Sequence, residues 1–215
     1  ILFFPLNIYA LSDTAKSTIA MDMDSGRILY QKNADEQRLI ASITKIMTAV
    51  IAIENGNLDE EVTVGEEVLT MYGSNIYIEL GEKMTLKNLL YGLMLRSGND
   101  AAIVIAYHIG GTEEKFVEMM NAKAKEIGMK NTIYRNSHGL DESTKNYSTA
   151  RDMAILSSYA NKLDVYKEIS GTKKWTVQTD KKSYVWNNRN KLLYSYEYAT
   201  GGKTGYTPSA GRTLV

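Results

Sequence analysis

The apolar residues of this chain change their spacing twice, and this change restricts the possible folds more than any other feature. Residues 17–30 alternate between apolar and polar side chains around Asp24-Ser25-Gly26, which predicts a β-hairpin. Helical spacing dominates between residues 42 and 161, and strand-like alternation returns after Gly171. Segregated strands and helices indicate an α+β fold in which early and late strands share one sheet.

The central block contains several predicted helices. Gly56 is expected to end the first, and Thr85 to cap the start of the second. Short strands are expected at residues 61–64 and 76–78, and a polar loop at residues 131–148. The predicted helices cover residues 42–54, 86–95, 100–107, 112–127 and 149–161.

Length and composition narrow the function. A chain of 215 residues is long enough for one well-cored domain. Its 25 basic and 25 acidic residues cancel, and no basic stripe indicates nucleic-acid binding. The chain has no cysteine and only two histidines, so we expect no disulfide, no metal site and no cofactor.

The first residues form an apolar run that is too short to span a bilayer. Small and polar residues follow it, as they do at the rear of a secretory signal peptide. We therefore interpret residues 1–16 as a signal-peptide remnant and residues 17–215 as an extracytoplasmic domain. A buried terminal strand is the alternative.

Three short strings carry the candidate chemistry: Ser42-Ile43-Thr44-Lys45, Ser97-Gly98-Asn99 and Lys203-Thr204-Gly205. A serine hydroxyl is a poor nucleophile until a base takes its proton. Ser42 and Lys45 are three residues apart, so they share a helix face, and burial would lower the pKa of the lysine enough for it to act as that base. The alternative for Ser42 is a simple helix N-cap.

The other two strings complete an acyl-transfer site. Ser97 can relay a proton, and Asn99 can either bind a substrate amide or hold Lys45; the alternative is a helix break followed by an Asn cap. Lys203 and Thr204 lie in a predicted strand, where they can bind a carboxylate, and Gly205 permits close backbone approach. The alternative is a solvated strand end.

The strings and their flanks resemble the serine D-alanyl-D-alanine carboxypeptidases, the low-molecular-mass penicillin-binding proteins. This resemblance extends from about Ser17 to Val215. It implies a β-lactamase/transpeptidase-like fold, a mixed α/β sandwich with a central antiparallel sheet and a helical subdomain, incomplete at its C-terminus. The segments that carry it are Ile40–Ala49, Leu95–Ala102, His138–Asp141, Tyr147–Ala154, Gly202–Thr207 and Ala210-Gly211.

The resemblance also implies a reaction, a hydrolysis that shortens peptidoglycan stem peptides in the bacterial cell envelope. The partners would be stem peptides ending in D-Ala-D-Ala and β-lactam antibiotics, with membrane contact only through segments absent from this chain. The implied roles are nucleophile for Ser42, base for Lys45, proton transfer to the leaving D-alanine for Ser97, substrate binding for Asn99, Lys203, Thr204 and Gly205, and backbone oxyanion donors for Ser42 and Tyr206.

Some alternatives remain open at this stage. Glu142 and Asn146 have the spacing of the string that carries the deacylating glutamate in class A β-lactamases, although they lie in the loop resembling the carboxypeptidases. A D,D-endopeptidase or transpeptidase, a β-lactamase and a catalytically idle cell-wall-binding module are the competing functions. His138 is interpreted as a loop residue, and the tyrosines between 194 and 198 as strand packing.

Overall fold

A computed structural model describes residues 13–215, so most of the predicted signal-peptide remnant lies outside the described residues. The helices are α1 (Lys45–Asn55), α2 (Leu86–Arg96), α3 (Asn99–Gly110), α4 (Glu113–Glu126), α5 (Ala150–Ala160), α6 (Asp164–Gly171) and α7 (Leu192–Ser195). The strands are β1 (Thr18–Met21), β2 (Ile28–Lys32), β3 (Arg38–Leu39), β4 (Glu61–Thr63), β5 (Lys83–Thr85), β6 (Tyr147–Ser148), β7 (Lys174–Gln178), β8 (Ser183–Asn187), β9 (Thr204–Thr207) and β10 (Gly211–Leu214).

Helices α1, α2 and α3 form the centre of the core. Each contains eight buried residues, which is typical of helices enclosed on all sides. Their predicted positions are confirmed to within a few residues. The Thr85 side chain accepts a hydrogen bond from the N–H of Asn88 at 3.3 Å, so the predicted N-cap is confirmed. Gly56 ends α1, also as predicted.

The α+β class is confirmed, and all strand pairs are antiparallel. The predicted hairpin around residues 22–27 joins β1 to β2, and β9 pairs with β10 from Thr204–Leu214 to Thr207–Gly211. Among the described residues these two hairpins form separate two-stranded ladders, as do the other three strand pairs. Within residues 13–215 each strand thus pairs with one other strand, and the expected pairing of early with late strands in one sheet is not seen there.

Residues 76–78 form no strand, so that prediction is wrong. Their backbone N–H groups donate to the side chain of Asp100 instead of to a neighbouring strand, at 2.7–3.3 Å. The buried carboxylate therefore replaces a ladder partner. No helix within residues 13–215 has the length and apolarity needed to cross a membrane.

The predicted polar loop at residues 131–148 is buried at residues 136–139 and at Asn146, although residues 142–145 are exposed, and the residue types did not indicate that burial. Its polar side chains satisfy one another: Asn146 donates to Thr44 Oγ1 and to the backbone oxygen of Asn136, both at 3.0 Å, and accepts from the N–H of Arg135 at 2.7 Å. Because the polar groups are paired, the loop can pack against the start of α1 without the cost of unsatisfied donors.

Candidate active site

The first two strings meet at the amine of Lys45. The Lys45 side chain is fully buried, and its Nζ lies 3.2 Å from Ser42 Oγ and 2.7 Å from Asn99 Oδ1. The backbone oxygen of His138 is its third partner. A neutral amine has two N–H groups and one lone pair, so it can donate to Asn99 and His138 while its lone pair faces the Ser42 hydroxyl.

The surroundings of Lys45 favour the neutral form. Burial lowers the pKa of Lys45 well below its ordinary value, the positive charges of Lys203 and Arg189 lower it further, and the negative charge of Asp100 opposes them. No carboxylate lies within ion-pair distance of Lys45 among residues 13–215. Lys45 is therefore equipped to accept a proton from Ser42.

The third string joins the site through Lys203. Its buried Nζ donates to Ser97 Oγ at 2.9 Å and to the backbone oxygen of Thr204 at 2.6 Å. Burial, followed by the charge of Arg189, lowers the pKa of Lys203 to about 7. The backbone of Lys203 is fixed by paired hydrogen bonds with Val215, at 2.8 and 3.0 Å, which extend the β9–β10 ladder.

Ser97 occupies a left-handed backbone conformation (φ 63°) at the end of α2. This turn separates α2 from α3, so Ser97, just after α2, and Asn99, the first residue of α3, both lie at the junction of the two helices. The conformation is uncommon for a residue with a Cβ and is retained where the surroundings fix it. The Ser97 hydroxyl contacts Lys203, and Asn99 contacts Lys45. The junction between α2 and α3 therefore contacts both lysines.

Two glycines allow the backbone to close around Ser42. A Cβ on Gly205 would lie 2.8 Å from the nitrogen of Ser42, so β9 passes directly beside the amide of the candidate nucleophile. A Cβ on Gly139 would lie 2.1 Å from the oxygen of Ala41, and Gly139 also has φ +89°. Both approaches exclude larger residues, which supports the interpretation of Gly205 as a close-approach residue.

The loop at residues 136–146 also borders the cleft, which is the site formed by Ser42, Lys45, Ser97, Asn99 and Lys203. The buried carboxylate of Asp141 accepts from Thr207 Oγ1 at 2.6 Å, which ties the loop to the end of β9. Glu142 is exposed, whereas Asn146 is buried in the loop. The two residues of the β-lactamase-like string thus lie in different environments.

Sequence reasoning missed several contributors to the site. The backbone oxygen of His138 accepts a hydrogen bond from Lys45, and that of Tyr72 accepts one from Asn99 at 2.7 Å. Every residue has such an oxygen, so the residue type does not predict these contacts. His138 is buried and its pKa is lowered to about 3 by burial and by Lys45, so its side chain remains neutral. The Asp100 carboxylate sits next to Asn99 in sequence, and that adjacency was the one available signal.

Comparisons with known proteins agree with this geometry. A family model described as D-alanyl-D-alanine carboxypeptidase matches residues 8–215. The D-alanyl-D-alanine carboxypeptidase DacF of Bacillus subtilis is 41% identical over 212 residues, covering 95% of this chain and 54% of that protein. The chain thus spans about half the length of this relative.

Solved structures show the same similarity. A D-alanyl-D-alanine carboxypeptidase from Mycobacterium tuberculosis aligns with a TM-score of 0.89 at 32% identity, covering 94% of this chain and 76% of the other. The S216A mutant of Streptomyces K15 DD-transpeptidase aligns with a TM-score of 0.89 at 34% identity, covering 94% and 84%. On the family match over nearly its whole length, this chain belongs to the D-alanyl-D-alanine carboxypeptidase family.

Proposed function

We propose that this protein is a serine D-Ala-D-Ala carboxypeptidase that removes the terminal D-alanine from peptidoglycan stem peptides through an acyl-enzyme on Ser42. The observation that carries the proposal is the contact between Ser42 Oγ and a buried lysine amine that has no carboxylate partner in residues 13–215. This is the pairing that activates a serine nucleophile. The family of the chain supplies the substrate class.

In the acylation step, Ser42 Oγ attacks the carbonyl carbon of the penultimate D-alanine and its proton passes to Lys45. The carbonyl oxygen gains negative charge, which the backbone N–H groups of Ser42 and Tyr206 would stabilise. The close approach of Gly205 to the Ser42 nitrogen supports this placement because Tyr206 follows directly. Ser97 would pass a proton to the leaving D-alanine.

The substrate carboxylate is assigned to Lys203 and Thr204. Lys203 is 2% exposed and its Nζ bonds to Ser97, so a carboxylate placed there would meet both a cation and the proton relay. Asn99 Oδ1 accepts from Lys45, and one N–H of its side-chain amide donates to the backbone oxygen of Tyr72. The second N–H is left to donate to the substrate amide. Asn99 can therefore serve both of its predicted roles.

Water then hydrolyses the acyl-enzyme and releases the shortened peptide, whereas β-lactams would remain bound as slow acyl-enzymes. We place the protein in the bacterial cell envelope, where its substrate is found. If another amine rather than water accepts the acyl group, the same site performs transpeptidation, the activity named for the Streptomyces K15 neighbour.

Labelled penicillin and a D-Ala-D-Ala pentapeptide test the proposal together. We expect a covalent penicillin adduct on the peptide containing Ser42, no adduct in Ser42→Ala, and free D-alanine released from the pentapeptide by the unmodified protein. Labelling that persists in Ser42→Ala would remove the nucleophile assignment. Stable acylation without D-alanine release would favour the binding module.

A further inference from the structure

Asp100 is a buried carboxylate that forms no ion pair among the described residues. Its side chain is 1% exposed. Within residues 13–215 its two oxygens accept hydrogen bonds only from backbone N–H groups, at 2.7–3.3 Å. The donors are Ile76, Tyr77, Ile78 and Ala101. Several N–H donors stabilise a carboxylate without a cation, so Asp100 acts as the partner of a backbone segment.

The segment held by Asp100 has an unfavourable backbone conformation. Tyr77 has φ 63°, a left-handed conformation that is rare for an aromatic residue, and its side chain is 71% exposed. The N–H of Tyr77 donates to Asp100 at 2.7 Å and its oxygen accepts from Lys182 Nζ at 2.7 Å. Strain of this kind persists only where the surroundings determine the conformation, and here Asp100 supplies the buried contact.

The same segment continues into the residues that hold Asn99. Asn99 N–H donates to the oxygen of Ser74 and Asn99 Nδ2 donates to the oxygen of Tyr72, both at 2.7 Å. The N–H of Asp100 donates to Asn75 Oδ1 at 3.2 Å. Residues 72–78 are thus attached to the start of α3 at both ends, and the Asn99 amide is fixed between this segment and Lys45.

Building on the proposed acylation step, we propose that Asp100 is a positioning residue: its carboxylate folds residues 76–78 onto the start of α3 and so fixes the backbone that orients Asn99 against Lys45. Asp100 does not touch the substrate. It acts through Asn99, whose Oδ1 lies 2.7 Å from the Lys45 amine. Misplacing a catalytic group by about 1 Å can cost about a hundredfold in rate.

Asp100 also acts on Lys45 through its charge. The charged and titratable groups facing Lys45 are Lys203, Arg189, Asp100 and His138, of which Asp100 alone is a carboxylate. Its negative charge raises the pKa of Lys45 and opposes the two cations. Removing this charge therefore lowers the pKa further, which a purely structural role would not do.

The test compares Asp100→Asn with a matched control, Glu82→Gln. Glu82 is also a fully buried carboxylate, and it accepts from Tyr184, Thr179 and the N–H of Glu79. The measurement is the second-order rate of Ser42 acylation by labelled penicillin as a function of pH. In Asp100→Asn we expect a rate about tenfold to a hundredfold lower. We also expect the acid limb of the pH profile, where the rate rises as Lys45 loses its proton, to shift to lower pH. Glu82→Gln should keep the wild-type rate and limb even where its Tm falls.

Each outcome decides the inference. If Asp100→Asn keeps the wild-type acylation rate and the wild-type acid limb, the positioning role of Asp100 is overturned. If that variant does not fold, Asn75→Ala removes one attachment of the segment but keeps the charge; slower acylation with an unmoved limb supports positioning, and a wild-type rate overturns it. Absence of acylation in the unmodified protein would instead refute the proposed function.

Discussion

Two regions of the molecule hold lysines in opposite electrostatic surroundings. In the cleft, burial lowers the pKa of both Lys45 and Lys203, and neither amine lies within ion-pair distance of a carboxylate in residues 13–215. At the seam between α1 and α4, Lys123 Nζ lies 2.9 Å from Glu54 and 2.8 Å from Glu126, and these contacts raise its pKa.

These regions differ in the supply of anions and in burial, because Lys45 and Lys203 are fully buried whereas Lys123 is partly exposed. A carboxylate keeps a shielded lysine charged and makes it a structural cation, as at Lys123. Without one, the proton is held weakly and the amine becomes a candidate base, as at Lys45. The cleft therefore gains reactivity by omitting a partner that the seam provides.

The largest expected effect comes from Lys45→Met, which removes the amine and keeps similar volume. We expect acylation of Ser42 to slow by about 10²- to 10⁴-fold, the contribution of a positioned general base. The measurement is the rate of labelled-penicillin incorporation under single-turnover conditions.

Lys123→Met is the control because the same substitution removes an ion-paired amine from the seam. Its acylation rate should stay at the wild-type value. Its free energy of unfolding should fall by about 1–3 kcal/mol, because Glu54 loses its charged partner. Equal losses of acylation in the two variants would contradict the distinction between cleft and seam.

Lys203→Met should give the next largest effect. It removes a charged hydrogen-bond donor, worth about 1.5–3 kcal/mol, so kcat/KM for carboxylate-bearing peptides should fall by about tenfold to a hundredfold. An amidated peptide, which has no carboxylate, should lose much less. If both peptides lose the same factor, Lys203 does not bind the carboxylate.

How much of this site the sequence predicted depends on the range of the interactions. The pair Ser42 and Lys45 is one helical turn apart, and the Thr85 cap is local, so both were predictable. The path of residues 76–78 is set by Asp100, more than twenty positions away in the chain. Neither propensity nor periodicity reports such a contact.

The loop at residues 131–148 shows the same limit. Its residue types predicted a polar loop, yet Asn146 is buried and bonds to Thr44, 102 positions earlier in the chain. That packing brings the oxygen of His138 to Lys45, and a backbone oxygen is the same in every residue. The candidate side chains were thus predictable, whereas the framework that orients them was not.

The pH profile of kcat/KM should have two limbs, an acid limb set by Lys45 and an alkaline limb set by Lys203. Lys45 must be neutral to act as a base, so kcat/KM rises with pH as its lowered pKa is passed. Lys203 must be charged to bind a carboxylate, so kcat/KM falls again above about pH 7. A bound carboxylate raises the pKa of Lys203, so the alkaline limb of kcat should lie at higher pH than that of kcat/KM. Coinciding limbs would argue against Lys203 as the titrating group.

The smallest expected effect is that of Glu142→Gln. Glu142 is exposed, and among residues 13–215 its carboxylate forms no hydrogen bond to Ser42 or Lys45. The lifetime of the penicillin adduct should therefore stay within about twofold of wild type, as for most surface substitutions. An adduct that becomes much longer-lived in this variant would favour the β-lactamase alternative.

The protonation state of Lys45 is the most direct test of the account. NMR titration of protein labelled with ¹³C at lysine Cε, with the Lys45 signal assigned by its loss in Lys45→Met, reports each amine separately. We predict that the Lys45 amine loses its proton well below the ordinary lysine pKa of 10.5, while Lys123 in the same spectra stays charged beyond that value. A Lys45 signal that titrates together with the exposed lysines would contradict this prediction.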